Sequence, residues 1–167
     1  MTKPTSFLFR FEPSDTDSAS IRDIVTSTGF FNAEEIEIAV ELVEERLKRG
    51  EKSGYYFVFA QTPEGRVIGY ACYGPISGTK SSFDLYWIAV RADARGKGLG
   101  GVLMEKAERA MAGMGAVRVY AETSSREQYQ PTREFYEKRG YVQTALLEDF
   151  YGEGDGKLVF VKKMEGE

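Results

Sequence analysis

The sequence predicts a mixed α+β domain. Three observations lead there. Apolar residues recur at helical spacing in two early and two later segments. Strand-like runs bounded by glycine and proline lie between and after them. One such run enters a glycine-rich turn with an amphipathic helix directly behind it. The expected order is β-α-α-β-β-β-α-β-α-β-β. At 167 residues, 42% hydrophobic and 29% charged, the chain can bury one core without disulfides or metals. Nothing repeats and no low-complexity linker divides it, so one domain over residues 1–167 is expected.

Phe7-Leu8-Phe9-Arg10-Phe11 reads as a first strand that Pro13 ends. Ile21, Ile24, Val25 and Thr28 recur at helical spacing before Gly29, a natural residue to follow a helix. Asn32 with Glu35 forms a capping-box start to a second helix. Its apolar stripe is Ile36, Ala39, Val40, Val43 and Leu47, and Gly50 stops it. Strands over 55–61 and 66–73 flank the hairpin signal Thr62-Pro63-Glu64-Gly65. Gly74-Pro75 breaks the chain, and a strand resumes over 82–90. Leu99, Val102, Leu103, Ala107, Ala110, Met111 and Met114 form the apolar face of a long third helix, expected to be core. Gly113 and Gly115 stop it, and Val117, Val119 and Ala121 alternate as a strand. Pro131 opens a short helix holding Phe135 and Tyr136, closed by Gly140. Strands over 141–150 and 157–163 close the order around a glycine-rich turn.

The formal net charge of −4 argues against a nucleic-acid partner, which needs a basic surface. No apolar run approaches ~20 residues, and Met1-Thr2-Lys3-Pro4 lacks the apolar stretch of a leader, so a cytoplasmic protein with no membrane partner is expected. A single cysteine, Cys72, sits in strand-like surroundings and reads as a buried structural thiol. Histidine is absent. That removes the Ser-His-Asp and Cys-His arrangements, His-ligated zinc and the imidazole base, leaving Asp, Glu, Tyr, Lys, water or backbone to move protons. No metal is expected.

The strongest signal is Leu85-Tyr86-Trp87-Ile88-Ala89-Val90 followed by Arg95-Gly96-Lys97-Gly98-Leu99-Gly100. A strand, a glycine turn and a helix in that order leave backbone N–H groups unoccupied at the helix start, beside two cations. Such a turn suits a phosphate or pyrophosphate. A Walker A loop would need Ser or Thr after Gly96-Lys97, where Gly98 stands. Gly96, Gly98 and Gly101 satisfy the dinucleotide fingerprint of an oxidoreductase, and Glu122 stands roughly where its ribose-binding acid would lie. However, residues 91–95 separate them from the strand, and hairpin strands precede them.

Coenzyme A is the third reading, because here the sequence resembles the GNAT superfamily of acyl-CoA-dependent N-acetyltransferases. Arg95-Gly96-Lys97-Gly98-Leu99-Gly100 matches its Q/R-x-x-G-x-G/A pyrophosphate motif. Phe135-Tyr136-Glu137-Lys138-Arg139-Gly140-Tyr141 is similar to its second signature. The resemblance is strong over 85–142 and looser before it. Many members carry an asparagine seven or eight residues before the tyrosine to hold the pantetheine arm. Gln128-Tyr129-Gln130-Pro131-Thr132 lacks it, which leaves Gln128, Tyr129 or Gln130 as replacements.

The resemblance implies a central mixed, mostly antiparallel sheet, splayed at the acetyl-CoA site, with helices on both faces. It implies direct acetyl transfer from acetyl-CoA, as co-substrate, to an amine in a ternary complex. Cofactor-binding residues would be Ile88, Ala89 and Val90, whose backbone pairs with the pantetheine arm, and Arg95, Gly96, Lys97, Gly98, Leu99 and Gly100 at the pyrophosphate. Val90 N–H, or one beside it, would face the thioester oxygen. Tyr136 matches the family's general acid. Asp84, on the face shared with Tyr86, Ile88 and Val90, and Glu122 on the neighbouring strand are the candidate bases, with water an alternative.

No specific motif marks the acceptor side. Phe30-Phe31, Glu34-Glu35, Tyr55-Tyr56, Tyr73, Tyr151 and the acidic stretch 149–155 are candidates for a small-molecule, amino-acid or peptide amine. The competing functional class is a catalytically weak acyl-CoA-binding sensor or structural domain. Homodimers are common in such folds.

Overall fold

The computed structural model describes residues 6–165; the N-terminal Met1-Thr2-Lys3-Pro4, read above for a leader, lies outside them. The elements are β1 (Leu8–Arg10), α1 (Asp17–Ser27), α2 (Ala33–Arg49), β2 (Tyr56–Gln61), β3 (Val67–Pro75), β4 (Ser82–Val90), α3 (Leu99–Gly113), β5 (Arg118–Ser124), α4 (Gln130–Lys138), β6 (Val142–Gly152) and β7 (Asp155–Lys163). The strands hydrogen-bond in the order β1-β2-β3-β4-β5-β7-β6. Four neighbouring pairs (β1 with β2, β2 with β3, β5 with β7, β6 with β7) are antiparallel, while β4 and β5 run parallel. This is the mixed, mostly antiparallel sheet that the resemblance implies, whereas a doubly wound dinucleotide fold is mostly parallel.

The chain divides into two compact units, residues 1–74 with 87–109, and residues 75–86 with 110–167. In the first unit α2 starts as its sequence dictates. Asn32 accepts from Glu35 N at 2.8 Å while Glu35 accepts from Asn32 N at 3.0 Å, a reciprocal cap. Phe57–Ala60 of β2 and Ile68–Gly74 of β3 are buried without alternation, so both faces of these strands are covered. Gly69 lets β3 and α3 approach; a Cβ there would stand 3.1 Å from Leu103 Cδ1 and 3.4 Å from Leu99 Cδ2. Arg10 ties β1 to α1 through both oxygens of the fully buried Asp17, at 2.8 and 2.9 Å. Cys72 is fully buried, and that burial pushes its thiol well above its ordinary value.

In the second unit β5 pairs with β4 from Ser82↔Arg118 to Leu85↔Ala121 and with β7 along its whole length. β4 continues past its last pair with β5 to Val90. β6 is exposed along nearly all its length, and its pairing with β7 is interrupted twice. Asp149 on it has a positive φ of 55°, and its carboxylate accepts from Gly154 N at 2.8 Å.

Five positions depart from the expected core. Leu47 of the α2 stripe is exposed and Arg46 is buried in its stead. Arg46 donates to Tyr55 O at 3.0 Å, meets Glu12 at 3.5 Å and lies over the Tyr56 ring, so its charge is satisfied where Leu47 would have been apolar filling. Val102 is exposed and Met104 buried, because α3 turns a stripe through Leu99, Leu103, Met104, Ala107 and Met111 inward. Met114 lies past the end of α3 and is exposed.

Candidate functional site

In the first unit the chain leaving β4 is fixed before it reaches the glycines. Arg91 N donates to Ile68 O at 2.8 Å, and Ala92 N donates to Ser27 Oγ at 3.1 Å. The Arg91 guanidinium hydrogen-bonds Asp23 of α1 and lies 3.1 Å from Asp93. Neither the spacing nor the composition of the sequence marks Arg91, because its partner is 68 residues away.

Behind this anchor Arg95 is extended, and Gly96 and Gly98 take φ of +82° and +74°, conformations that favour glycine. Leu99, buried, starts α3, while Arg95, Gly96, Lys97 and Gly98 are exposed and Gly100 is half-buried. Val102 N donates to Gly98 O at 3.3 Å, the first bond of the helix, so the N–H groups just before it have no intrahelical acceptor. Among the described residues neither Arg95 nor Lys97 forms an ion pair; Arg95 lies 6.0 Å from the Phe30 ring centroid. Two cations held at the positive end of a helix, with no carboxylate to offset them, favour an anion.

The backbone before the turn is polarised in the same sense. Arg91 N points to β3, so the N–H of Val90, one residue earlier, points away from β3. Ile88 and Val90 are half-buried and Ala89 is buried.

The second unit brings Asp84, Glu122 and Lys157 together. Asp84 is half-buried on β4 and stands opposite Tyr120 of β5 in register. Burial first, then repulsion from Glu122, raises its carboxyl to about 6, and attraction to Lys157 partly offsets this. Glu122 Oε2 lies 2.9 Å from Lys157 Nζ, and that ammonium also lies 4.3 Å from the Phe150 ring centroid. Lys157 is absent from the sequence-derived candidates; strand alternation is its only signal, and alternation does not name a partner.

Tyr136 of α4 is buried, with ring centroids of Phe135, Tyr141 and Phe160 at 5.9, 5.7 and 5.7 Å. Burial pushes its phenol well above the ordinary value. Nearby, Gln130 is engaged by Arg133 at 2.7 Å and Glu134 at 3.3 Å, Tyr129 lies beside Arg126, and Gln128 is exposed.

Two acceptor-side candidates have other tasks. Glu35 is consumed in the α2 cap, and Tyr73 is buried with its ring stacked on Tyr56 at 6.3 Å. Tyr151 is exposed and T-shaped against Phe150. No helix of the described residues is long and apolar enough to cross a membrane. Among those residues no group of three or more His, Cys, Asp or Glu is placed to hold a metal ion.

The model of the Acetyltransferase (GNAT) family matches residues 19–141. A search of curated proteins returns no match. Among solved structures, a GNAT-family protein from Desulfovibrio desulfuricans is 40% identical, with 95% of this chain and 99% of that one covered at a TM-score of 0.92. An aminoglycoside 6'-N-acetyltransferase from Enterococcus faecium is 18% identical, with 96% and 98% covered and a TM-score of 0.74. A GNAT family acetyltransferase from Elizabethkingia anophelis with acetyl-CoA bound is 13% identical, with 95% and 98% covered and a TM-score of 0.67. The last two show the fold alone. The family match spans most of the sequence and the 40%-identical relative nearly all of it: the chain belongs to the GNAT acetyltransferase family.

Proposed function

We propose that the protein transfers the acetyl group of acetyl-CoA directly to a primary amine, carried by a small molecule, an amino acid or a peptide. The observation that carries this reading is the 95–100 turn, with its two left-handed glycines, its open N–H groups and its unpaired Arg95 and Lys97. Main-chain amides of residues 95–100 hold the pyrophosphate, with the two cations beside them. The backbone of Ile88, Ala89 and Val90 takes the pantetheine arm as an added strand. Val90 N–H, directed away from β3, donates to the thioester oxygen as negative charge develops there; losing such a donor costs ~3–4 kcal/mol of barrier. The acetyl-CoA-bound neighbour supports the choice of co-substrate.

An alkyl ammonium has a pKa of ~10.4, so a base must take its proton. Asp84 fills this role. With its carboxyl near 6 it is ionised at neutral pH, yet far more basic than an exposed aspartate. Direct transfer from free ammonium to Asp84 would be uphill by roughly 6 kcal/mol. The proton therefore moves through water, or as the nitrogen attacks and becomes more acidic. Glu122, engaged by Lys157, orients rather than accepts. Tyr136, its phenol made less acidic by burial, supports the leaving sulfur with a hydrogen bond and completes proton donation only as the C–S bond breaks.

Calorimetry with acetyl-CoA, followed by an amine panel read as released CoA thiol, tests the reading. Saturable binding with at least one amine consumed supports it. No heat on adding acetyl-CoA refutes it, and binding without turnover on any amine would leave an acyl-CoA sensor instead.

A further inference from the structure

The half-exposed face of β5 and β7 carries an ion pair whose cation is better fixed than its anion. In the antiparallel register Glu122 faces Val159 and Ser124 faces Lys157, so Glu122 and Lys157 are diagonal neighbours on one face. The Lys157 side chain is 16% exposed against 44% for Glu122. Contact with Glu122 and with the Phe150 ring restrains it. Asp84 shares this face from β4, opposite Tyr120 and two positions before Glu122. The charged groups that act on it are Glu122 from β5 and Lys157 from β7; Tyr120 stands opposite it on β5, and Tyr86 shares its face of β4.

We propose that Lys157 is a positioning residue that holds Glu122 in an ion pair on β5 and leaves Asp84 as the carboxylate of this face that takes the acceptor's proton. The inference rests on the proposed role of Asp84 as base. Without Lys157, two like charges would confront each other and share the first proton as a coupled pair. With it, Glu122 is held by an opposite charge at 2.9 Å, and the proton goes to Asp84. Two opposite shifts follow. Removing the lysine removes an attraction and leaves the repulsion from Glu122 unopposed, so Asp84 binds its proton more tightly. Removing the charge of Glu122 leaves the attraction alone, so Asp84 binds it less tightly.

The test is a carboxyl-carbon NMR titration of the unliganded protein, with the Asp84 resonance assigned by its loss in Asp84→Asn. Lys157→Met is expected to raise the Asp84 midpoint by about one pH unit. Glu122→Gln is expected to lower it, and Lys157→Arg to restore it. The ascending limb of kcat/KM should move with the same signs. An unmoved midpoint in folded Lys157→Met overturns the proposal. Should that variant fail to fold, Glu122→Gln decides, and a midpoint that does not fall overturns it. Midpoints that move while the kcat/KM limb stays fixed show a purely structural pair and also overturn it. An Asp84→Asn enzyme that keeps the wild-type limb removes the base reading itself. An intact Asp84 limb that ignores Lys157 removes only this inference.

Discussion

Arg91, the first residue past β4, hydrogen-bonds Asp23 of α1 across 68 residues of sequence. This guanidinium anchors the chain just before the glycine turn and is not one of the cations left for an anion. Arg91→Ala and Asp23→Ala should therefore weaken acetyl-CoA binding by similar, modest factors. About fivefold is expected, in keeping with a partly exposed pair. Calorimetry on the two single variants and the double variant checks this. Additive losses would mean that the pair does not act as a unit.

Arg95→Glu and Lys97→Glu should raise the acetyl-CoA Kd by roughly tenfold or more each, because charge-assisted bonds to a pyrophosphate become repulsions. The slope of log Kd against log salt should flatten as well. Kd values unchanged in both variants would move the pyrophosphate elsewhere.

Tyr136→Phe deletes one oxygen and keeps the ring against Phe135, Tyr141 and Phe160. Its kcat should fall roughly tenfold or more while the acetyl-CoA Kd stays near wild type. An unchanged kcat would reduce Tyr136 to a packing residue.

Asp84 should cost stability in the pH range where it is useful. Its carboxyl is raised from 3.8 to about 6, so between those values the folded state binds more protons than the unfolded. Stability then falls as pH rises through that window, and the full penalty persists above it. After discounting for solvent screening the penalty is on the order of 1–2 kcal/mol. Asp84→Asn should melt a few degrees higher than wild type at pH 8, show no such gain near pH 4, and lose activity. Melting curves at the two pH values check the sign; a gain confined to acid pH would contradict it.

The elements were legible wherever the information is local. Asn32 with Glu35, the Thr62–Gly65 turn and the 82–90 strand all lie where their own sequence places them. Partnerships set by strand register or by long loops were not. Glu122 meets Lys157 only because β5 pairs with β7, and no spacing along the chain encodes that register. Arg46 buries in place of Leu47 because the Tyr55 carbonyl and Glu12 receive its charge, and nothing in the α2 periodicity reports on them. The glycine turn stood out as a motif, whereas its anchor at Arg91 depends on α1.

Burial of the lone cysteine makes the folded enzyme silent to thiol reagents. An aromatic disulfide added during turnover would thus colour only with liberated CoA, giving a continuous readout with no protein background. In a blank lacking acetyl-CoA, one equivalent of slow colour would measure how often the strand carrying Cys72 is laid bare.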